Sequence, residues 1–137
     1  MNGSQATFLL LGNPAKRLLF VDDEPSIRAT LPVILGRRGF QVSVAATVSE
    51  ALHFIRIGKF DLLLCDLNIE TGEDGYLVVE AFKQANANCV AAILTGFPPL
   101  NSAMKAIQHG VDEYFPKPIR ADALIAALTQ KLAELGS

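Results

Sequence analysis

Short, almost wholly apolar runs alternate along the chain with longer segments whose apolar residues recur every three or four positions. The runs at Arg17–Val21, Gln41–Ala45, Asp61–Cys65, Val90–Leu94 and Asp112–Phe115 are rich in aliphatic residues. They predict strands buried on both faces. Ile27, Leu31, Ile34 and Leu35 share one face of a first helix, which Gly39 stops. Thr47 followed by Glu50 has the pattern of a capping box and opens a second helix, which runs to Ile57. A third helix is predicted over Tyr76–Gln84 and a fourth over Leu100–His109, closed by Gly110. The fifth, Asp122–Leu135, carries Leu124, Leu128, Leu132 and Leu135 on one face. Pro32 falls inside the first helix, where its missing backbone donor predicts a kink.

Five strand–helix units in strict alternation predict an α/β fold, a doubly wound five-stranded parallel sheet with helices on both faces. Residues 1–15 precede the pattern and read as an N-terminal extension, and 16–137 read as one domain. In such sheets ligands bind beyond the carboxyl ends of the strands, near the point where strand order reverses. The polar residues at those ends are therefore the first candidates for chemistry. Asp22 and Asp23 follow the first strand, Asp66 the third, and Thr95 and Gly96 the fourth. Lys117 and Pro118 follow the fifth, in "YFPKP".

Three clustered carboxylates cannot all stay ionised unless a cation joins them. Hard oxygen ligands suit Mg2+, which keeps several waters and leaves room for a phosphate oxygen. Thr95 and Lys117 then read as ligands for a phosphoryl group. A carboxylate beside a metal can attack phosphorus and become an aspartyl phosphate.

Composition narrows the class. Hydrophobic residues make up 50% of the 137, charged residues 19%, and the net charge is -2. A chain so balanced has no basic footprint for direct nucleic acid binding. No apolar run reaches the roughly 18 residues of a membrane span, and "TFLLLG" is too short for a signal-peptide core. No membrane association and a cytoplasmic location are expected. Two cysteines, Cys65 and Cys89, lie in apolar surroundings and read as core fillers. Parallel strands would hold them at opposite strand ends, too far apart to bond. His53 and His109 have no metal-ligand pattern around them.

"VDDEP", "LLLCDLN", "AILTG" and "DEYFPKP" occur in order and at suitable spacing. From Lys16 to Leu135 the chain closely resembles the receiver domain of two-component response regulators. The resemblance implies a flavodoxin-like sheet with strand order 2-1-3-4-5, and Asp66 as phospho-acceptor. Asp23 and Asp66 would bind Mg2+ directly, Asn68 through its backbone carbonyl, and Asp22 largely through water. Thr95 and Lys117 would bind the phosphoryl group, flanked by Gly96 and Pro118. Tyr114 matches the aromatic that changes rotamer with Thr95, and the Lys117–Pro118 bond would be cis. The implied donor is a sensor histidine kinase or a histidine phosphotransfer protein. The implied output runs through helix four, strand five and helix five to a downstream protein target or an attached output domain. A homodimer is compatible with the resemblance.

Such a module would assist only its own phosphorylation and dephosphorylation. A Mg2+-dependent phosphatase of the haloacid dehalogenase type would need a second Asp two residues after the nucleophile, where this chain has Asn68. A receiver-like interaction module that is never phosphorylated would be expected if a site acid or the Lys were missing, and none is. The chain departs from the family in the loop "LNIETGEDGY". Ile69-Glu70 stands where a Met or Leu and then Pro is usual, and Gly75 lies nine residues past Asp66 rather than eight. Glu70, Glu73 and Asp74 predict a solvated acidic loop. Phe97, two residues past Thr95, is expected to slow hydrolysis of the acyl phosphate by excluding water from the in-line approach.

Overall fold

Strands that are apolar on both sides need both faces of their sheet covered, and that requirement sets the architecture. The computed structural model describes residues 15–70, 72–96 and 102–135. Its strands are β1 (Lys16–Val21), β2 (Phe40–Ala45), β3 (Leu62–Asp66), β4 (Val90–Thr95) and β5 (Glu113–Pro116). Its helices are α1 (Pro25–Arg37), α2 (Val48–Ile57), α3 (Asp74–Ala85), α4 (Ser102–His109) and α5 (Ala121–Leu135). All strand pairs are parallel, in the order β2-β1-β3-β4-β5.

The alternation of side chains along the strands divides the core in two. Leu19, Val21, Leu63, Cys65, Ala91 and Ile93 point to one face and pack with Ala51 and Ile55 of α2 and Val78, Val79 and Phe82 of α3. Leu18, Phe20, Leu62, Leu64, Ala92 and Leu94 point to the other, against Leu31 and Leu35 of α1 and Leu124 and Leu128 of α5. Burying each such side chain contributes about 1.5–3 kcal/mol. Cys65 and Cys89 are both free and buried, as expected.

The ends of the elements hold the informative differences. β3 and β4 each run one residue further than their apolar runs, because Asp66 and Thr95 still hold the ladder, paired with Leu94 and Pro116. Both side chains are thereby fixed on the sheet rather than on a loop. β5 starts at Glu113, one residue late, because Asp112 turns its carboxylate to the amide of Ala91. α3 starts at Asp74, an acid in the first turn that suits the helix dipole. Leu100, the predicted start of the fourth helix, lies outside the described residues. Gly39 and Gly110 do end their helices, with φ of 98° and 80°. Thr47 caps α2 by accepting from the Glu50 amide at 3.1 Å. α1 runs unbroken across Pro32. Ile34 sits at the margin of its apolar stripe and remains 39% exposed.

Candidate functional site

Among the described residues four polar or charged ones are buried: Asp22, Asp66, Thr95 and Asn86. The first three cluster at the carboxyl ends of β1, β3 and β4. The register puts them level: Val21 pairs with Cys65 and Asp66 with Leu94, so Asp22, Asp66 and Thr95 follow one another across adjacent strands. Asp22 also extends the β1–β2 ladder, its amide donating to the Ala45 carbonyl at 3.1 Å.

Asp22 is held on every side. Its Oδ1 accepts the Glu24 amide at 2.9 Å, and its carbonyl accepts from the Arg28 guanidinium at 3.0 Å. Asp23 beside it is exposed. One carboxylate oxygen from each of Asp22, Asp23 and Asp66 can be chosen so that all three lie within 4.8 Å of one another. The Lys117 ammonium bridges two of these acids, 3.2 Å from Asp22 Oδ2 and 3.3 Å from Asp66 Oδ2. The Lys117 backbone is anchored as well, its amide donating to the Thr95 carbonyl at 3.0 Å. The Lys117–Pro118 peptide is cis, and Gly96 follows Thr95 in an exposed bend.

Charge and burial work against each other here. Burial, and then the Asp22 carboxylate, push the Asp66 carboxyl above its usual range, against the lowering pull of Lys117 and of the Asn68 amide. Burial pulls the Lys117 ammonium down, but Asp22 and Asp66 together outweigh it and hold the group above its ordinary value. Cys65 is raised by burial and by the same two acids, so it stays a thiol. Three acids with one bridging ammonium form a site short of positive charge.

The donor set fits a divalent cation. Two oxygens on one octahedral Mg2+ sit about 3 Å apart when adjacent and about 4.2 Å apart when opposite, from Mg–O distances of about 2.1 Å. Carboxylate oxygens within 4.8 Å of one another come onto such an ion through small side-chain movements or a bridging water. The donors are hard carboxylate oxygens throughout, which is the chemistry such a cation requires.

The loop after Asp66 is exposed at Glu70 and Glu73, as expected of a solvated acidic loop, but other residues of it and one of its acids have structural contacts. The exposed Asn68 donates its amide to Asp66 Oδ1 at 3.3 Å. Ile69 is buried in the core. Glu70 reaches across to α2 and accepts the Val48 amide at 2.8 Å. That amide is one of the unsatisfied donors of a helix start, so Glu70 serves as a remote cap. Gly75 backs directly onto the acceptor strand. A Cβ there would lie 2.6 Å from the Asp66 carbonyl oxygen and 2.7 Å from Leu67 Cα. Thr71 and Phe97 lie outside the described residues, and with Phe97 the expected screening of the in-line approach.

Tyr114 projects to the α3 side of the sheet, where its hydroxyl lies 3.1 Å from that of Tyr76. Burial, the Tyr76 hydroxyl and the charge of Glu73 hold its phenol well above the ordinary range. The spacing of apolar residues predicts Tyr76 only as the start of a helix. Nothing in the apolar spacing signals a hydroxyl partner 38 residues away.

With this geometry in place, relatives agree on its meaning. A profile of the response regulator receiver domain matches residues 18–129. The acid tolerance regulatory protein ActR of Rhizobium meliloti (strain 1021) is 31% identical over 121 residues, covering 88% of this chain and 62% of that protein. The chain therefore spans less than two thirds of that curated relative. A CheY-like receiver domain protein from Methanospirillum hungatei JF-1 superposes with a TM-score of 0.80 at 30% identity, covering 88% of this chain and 96% of that one. A response regulator from Burkholderia pseudomallei, solved with a phosphorylated aspartic acid, a calcium ion and citrate, superposes with a TM-score of 0.76 at 28% identity, over 88% of this chain and 71% of that one. Acids level at the carboxyl sheet edge, the bridging lysine and the matched profile give one answer: the chain belongs to the response regulator receiver domain family.

Proposed function

We propose that Asp66 is the acceptor of this receiver domain, taking a phosphoryl group from a histidine kinase or a histidine phosphotransfer protein. One observation carries the reading: Asp22, Asp23 and Asp66 converge within 4.8 Å, with Lys117 bridging Asp22 and Asp66. An Asp66 oxygen attacks phosphorus, and the P–N bond of the donor phosphohistidine breaks with its electron pair returning to the imidazole. Lys117 stands 3.3 Å from the attacking carboxylate and moves to a phosphoryl oxygen as charge builds there. Thr95, fixed at the end of β4, offers its hydroxyl to a second phosphoryl oxygen. Asp22, Asp23, Asp66 and the Asn68 carbonyl would hold Mg2+. When bound, the ion would neutralise the charge that accumulates on the transferring group.

Residues 16–137 constitute the receiver domain on this reading, with 1–15 as an extension. The signal leaves through α4, β5 and α5 towards a downstream protein or an attached output domain. The chain acts as a signalling module, and its chemistry is confined to gaining and losing its own phosphoryl group. Its place is the cytoplasm, where such donors work; among the described residues no helix is long and apolar enough to cross a membrane. The test is incubation with Mg2+ and acetyl phosphate followed by intact mass. A gain of one phosphoryl group that vanishes with EDTA and in Asp66→Asn is expected. An equal gain in Asp66→Asn would overturn the assignment.

A further inference from the structure

The chain has two tyrosines, Tyr76 and Tyr114, and they meet. Tyr76 lies in the first turn of α3, one residue after Gly75, whose amide donates to the Leu67 carbonyl at 2.8 Å. It is therefore fixed to the loop that follows the acceptor. Its hydroxyl lies 3.1 Å from that of Tyr114 in β5. Its ring stacks on His109, the last residue of α4, with centroids 4.0 Å apart and planes inclined by 15°. Lys105, one turn earlier in α4, holds its ammonium 5.8 Å from the centroid of the same ring. His109 also reaches back to α3, with Nδ1 3.0 Å from Glu80 Oε2. One buried side chain thus touches β5 through its hydroxyl and α4 through its ring.

We propose that Tyr76 is the regulatory coupling residue of this domain. Its hydroxyl holds Tyr114 in the position seen while Lys117 is bound to Asp66, and its ring docks α4 on α3, so that the two are one equilibrium. The argument is energetic. Tyr76 is 5% exposed, so a Tyr114 hydroxyl that leaves it strands a buried polar group. On this proposal the lost partner is replaced by water as α4, which covers the ring through His109, loosens. Conversely, the stacked His109 ring covers Tyr76 from α4, so α4 and the hydroxyl pair act on one side chain. That is a two-state element biased from both ends, which is what coupling between sites requires. The direction of the switch rests on Asp66 as acceptor; the coupling itself does not.

The test is backbone hydrogen exchange across α4 in the full chain, for wild type, Tyr76→Phe, Tyr114→Phe, the double variant and His109→Ala. Each of the two Phe variants should speed exchange of the α4 amides by about 3- to 10-fold, the range expected for one net hydrogen bond. The double variant should be no faster than either single one, since both remove the same bond. His109→Ala, which keeps the hydroxyl pair, should also speed α4. Phosphorylation by acetyl phosphate, counted by intact mass, should speed α4 in wild type and add little in Tyr76→Phe. Unchanged α4 exchange in Tyr114→Phe, or effects of the two Phe variants that simply add, would overturn the proposal. Absence of phosphoryl uptake would instead overturn the reading of Asp66 and leave the unphosphorylated comparison standing as the test of coupling.

Discussion

The two edges of the sheet use the same residue types to opposite ends. At the amino edge, Asp61 accepts the Arg17 amide at 2.9 Å. Asp112 accepts the Ala91 amide at 2.8 Å and the Lys83 ammonium at 2.6 Å through the same oxygen. Asn86 accepts the Phe60 amide at 3.1 Å and donates to the Phe82 carbonyl at 3.1 Å. Each acid there closes a strand start that would otherwise leave an amide open. At the carboxyl edge, Asp22, Asp23 and Asp66 cluster with one ammonium, Lys117, that bridges two of them, and Asp22 is fully buried. The amino edge is satisfied within the fold. The carboxyl edge is complete only with a partner of positive charge, and that difference separates a structural acid from a functional one.

The comparison breaks most sharply at the lysines. Lys117→Met leaves the buried Asp22 without its ammonium and should cost about 3 kcal/mol of stability in urea unfolding. Phosphoryl uptake should fall about 10-fold or more with it. Lys83→Met at the other edge removes a pair whose side chains are 29% and 34% exposed and should cost about 1 kcal/mol, with uptake unchanged. Equal effects of the two would erase the distinction drawn here. Next in size is Gly75→Ala. The added methyl meets backbone rather than a movable side chain, so a loss of about 2–3 kcal/mol is expected, with impaired uptake.

A divalent cation should stabilise only the charge-poor edge. At ten times its Kd, Mg2+ should add about 1.4 kcal/mol, or about 4–6 °C in Tm. Asp23→Asn should blunt that shift and Asp61→Asn should leave it intact. An unchanged Tm with and without Mg2+ at matched ionic strength would count against the metal site. The smallest effects should differ in sign. The folded-state pKa of Asp66 is raised, so the folded protein holds that proton more tightly than the unfolded chain does. The stability this gives is full below the ordinary carboxylate pKa of about 4 and is lost as pH rises through the raised value. Metal-free Asp66→Asn should therefore melt higher than wild type at pH 7 and lack that decline. Asp112→Asn should melt lower, by about 1 kcal/mol, because it weakens a satisfied pair.

Much of this was visible in the chain itself, for a physical reason. Strand faces follow a two-residue period, so Leu18 to Val21 and Leu62 to Cys65 show where a sheet must be covered on both sides. Parallel order then forces Asp22, Asp66, Thr95 and Lys117 to one edge. The contacts that stayed hidden run between side chains far apart in sequence. Glu70 looks like one more acid in a polar loop until the fold brings it to the Val48 amide, 22 residues away. Tyr76 reads only as the start of a helix, because spacing reports where a helix runs and not what a hydroxyl on it will meet. His109 shows only as the last residue of a helix with no metal-ligand pattern around it, yet it lies flat on Tyr76. Pro32, a local breaker, lies inside its helix without ending it.

The central claim is that Asp66, and neither of the acids beside it, carries the phosphoryl group. Borohydride reduces an acyl phosphate to the alcohol, converting a phosphorylated aspartate to homoserine. Wild-type protein treated with Mg2+ and acetyl phosphate, reduced in this way and sequenced by tandem mass spectrometry, should contain homoserine at position 66. Homoserine at Asp22 or Asp23, or at no position in protein whose intact mass has gained a phosphoryl group, would contradict the account.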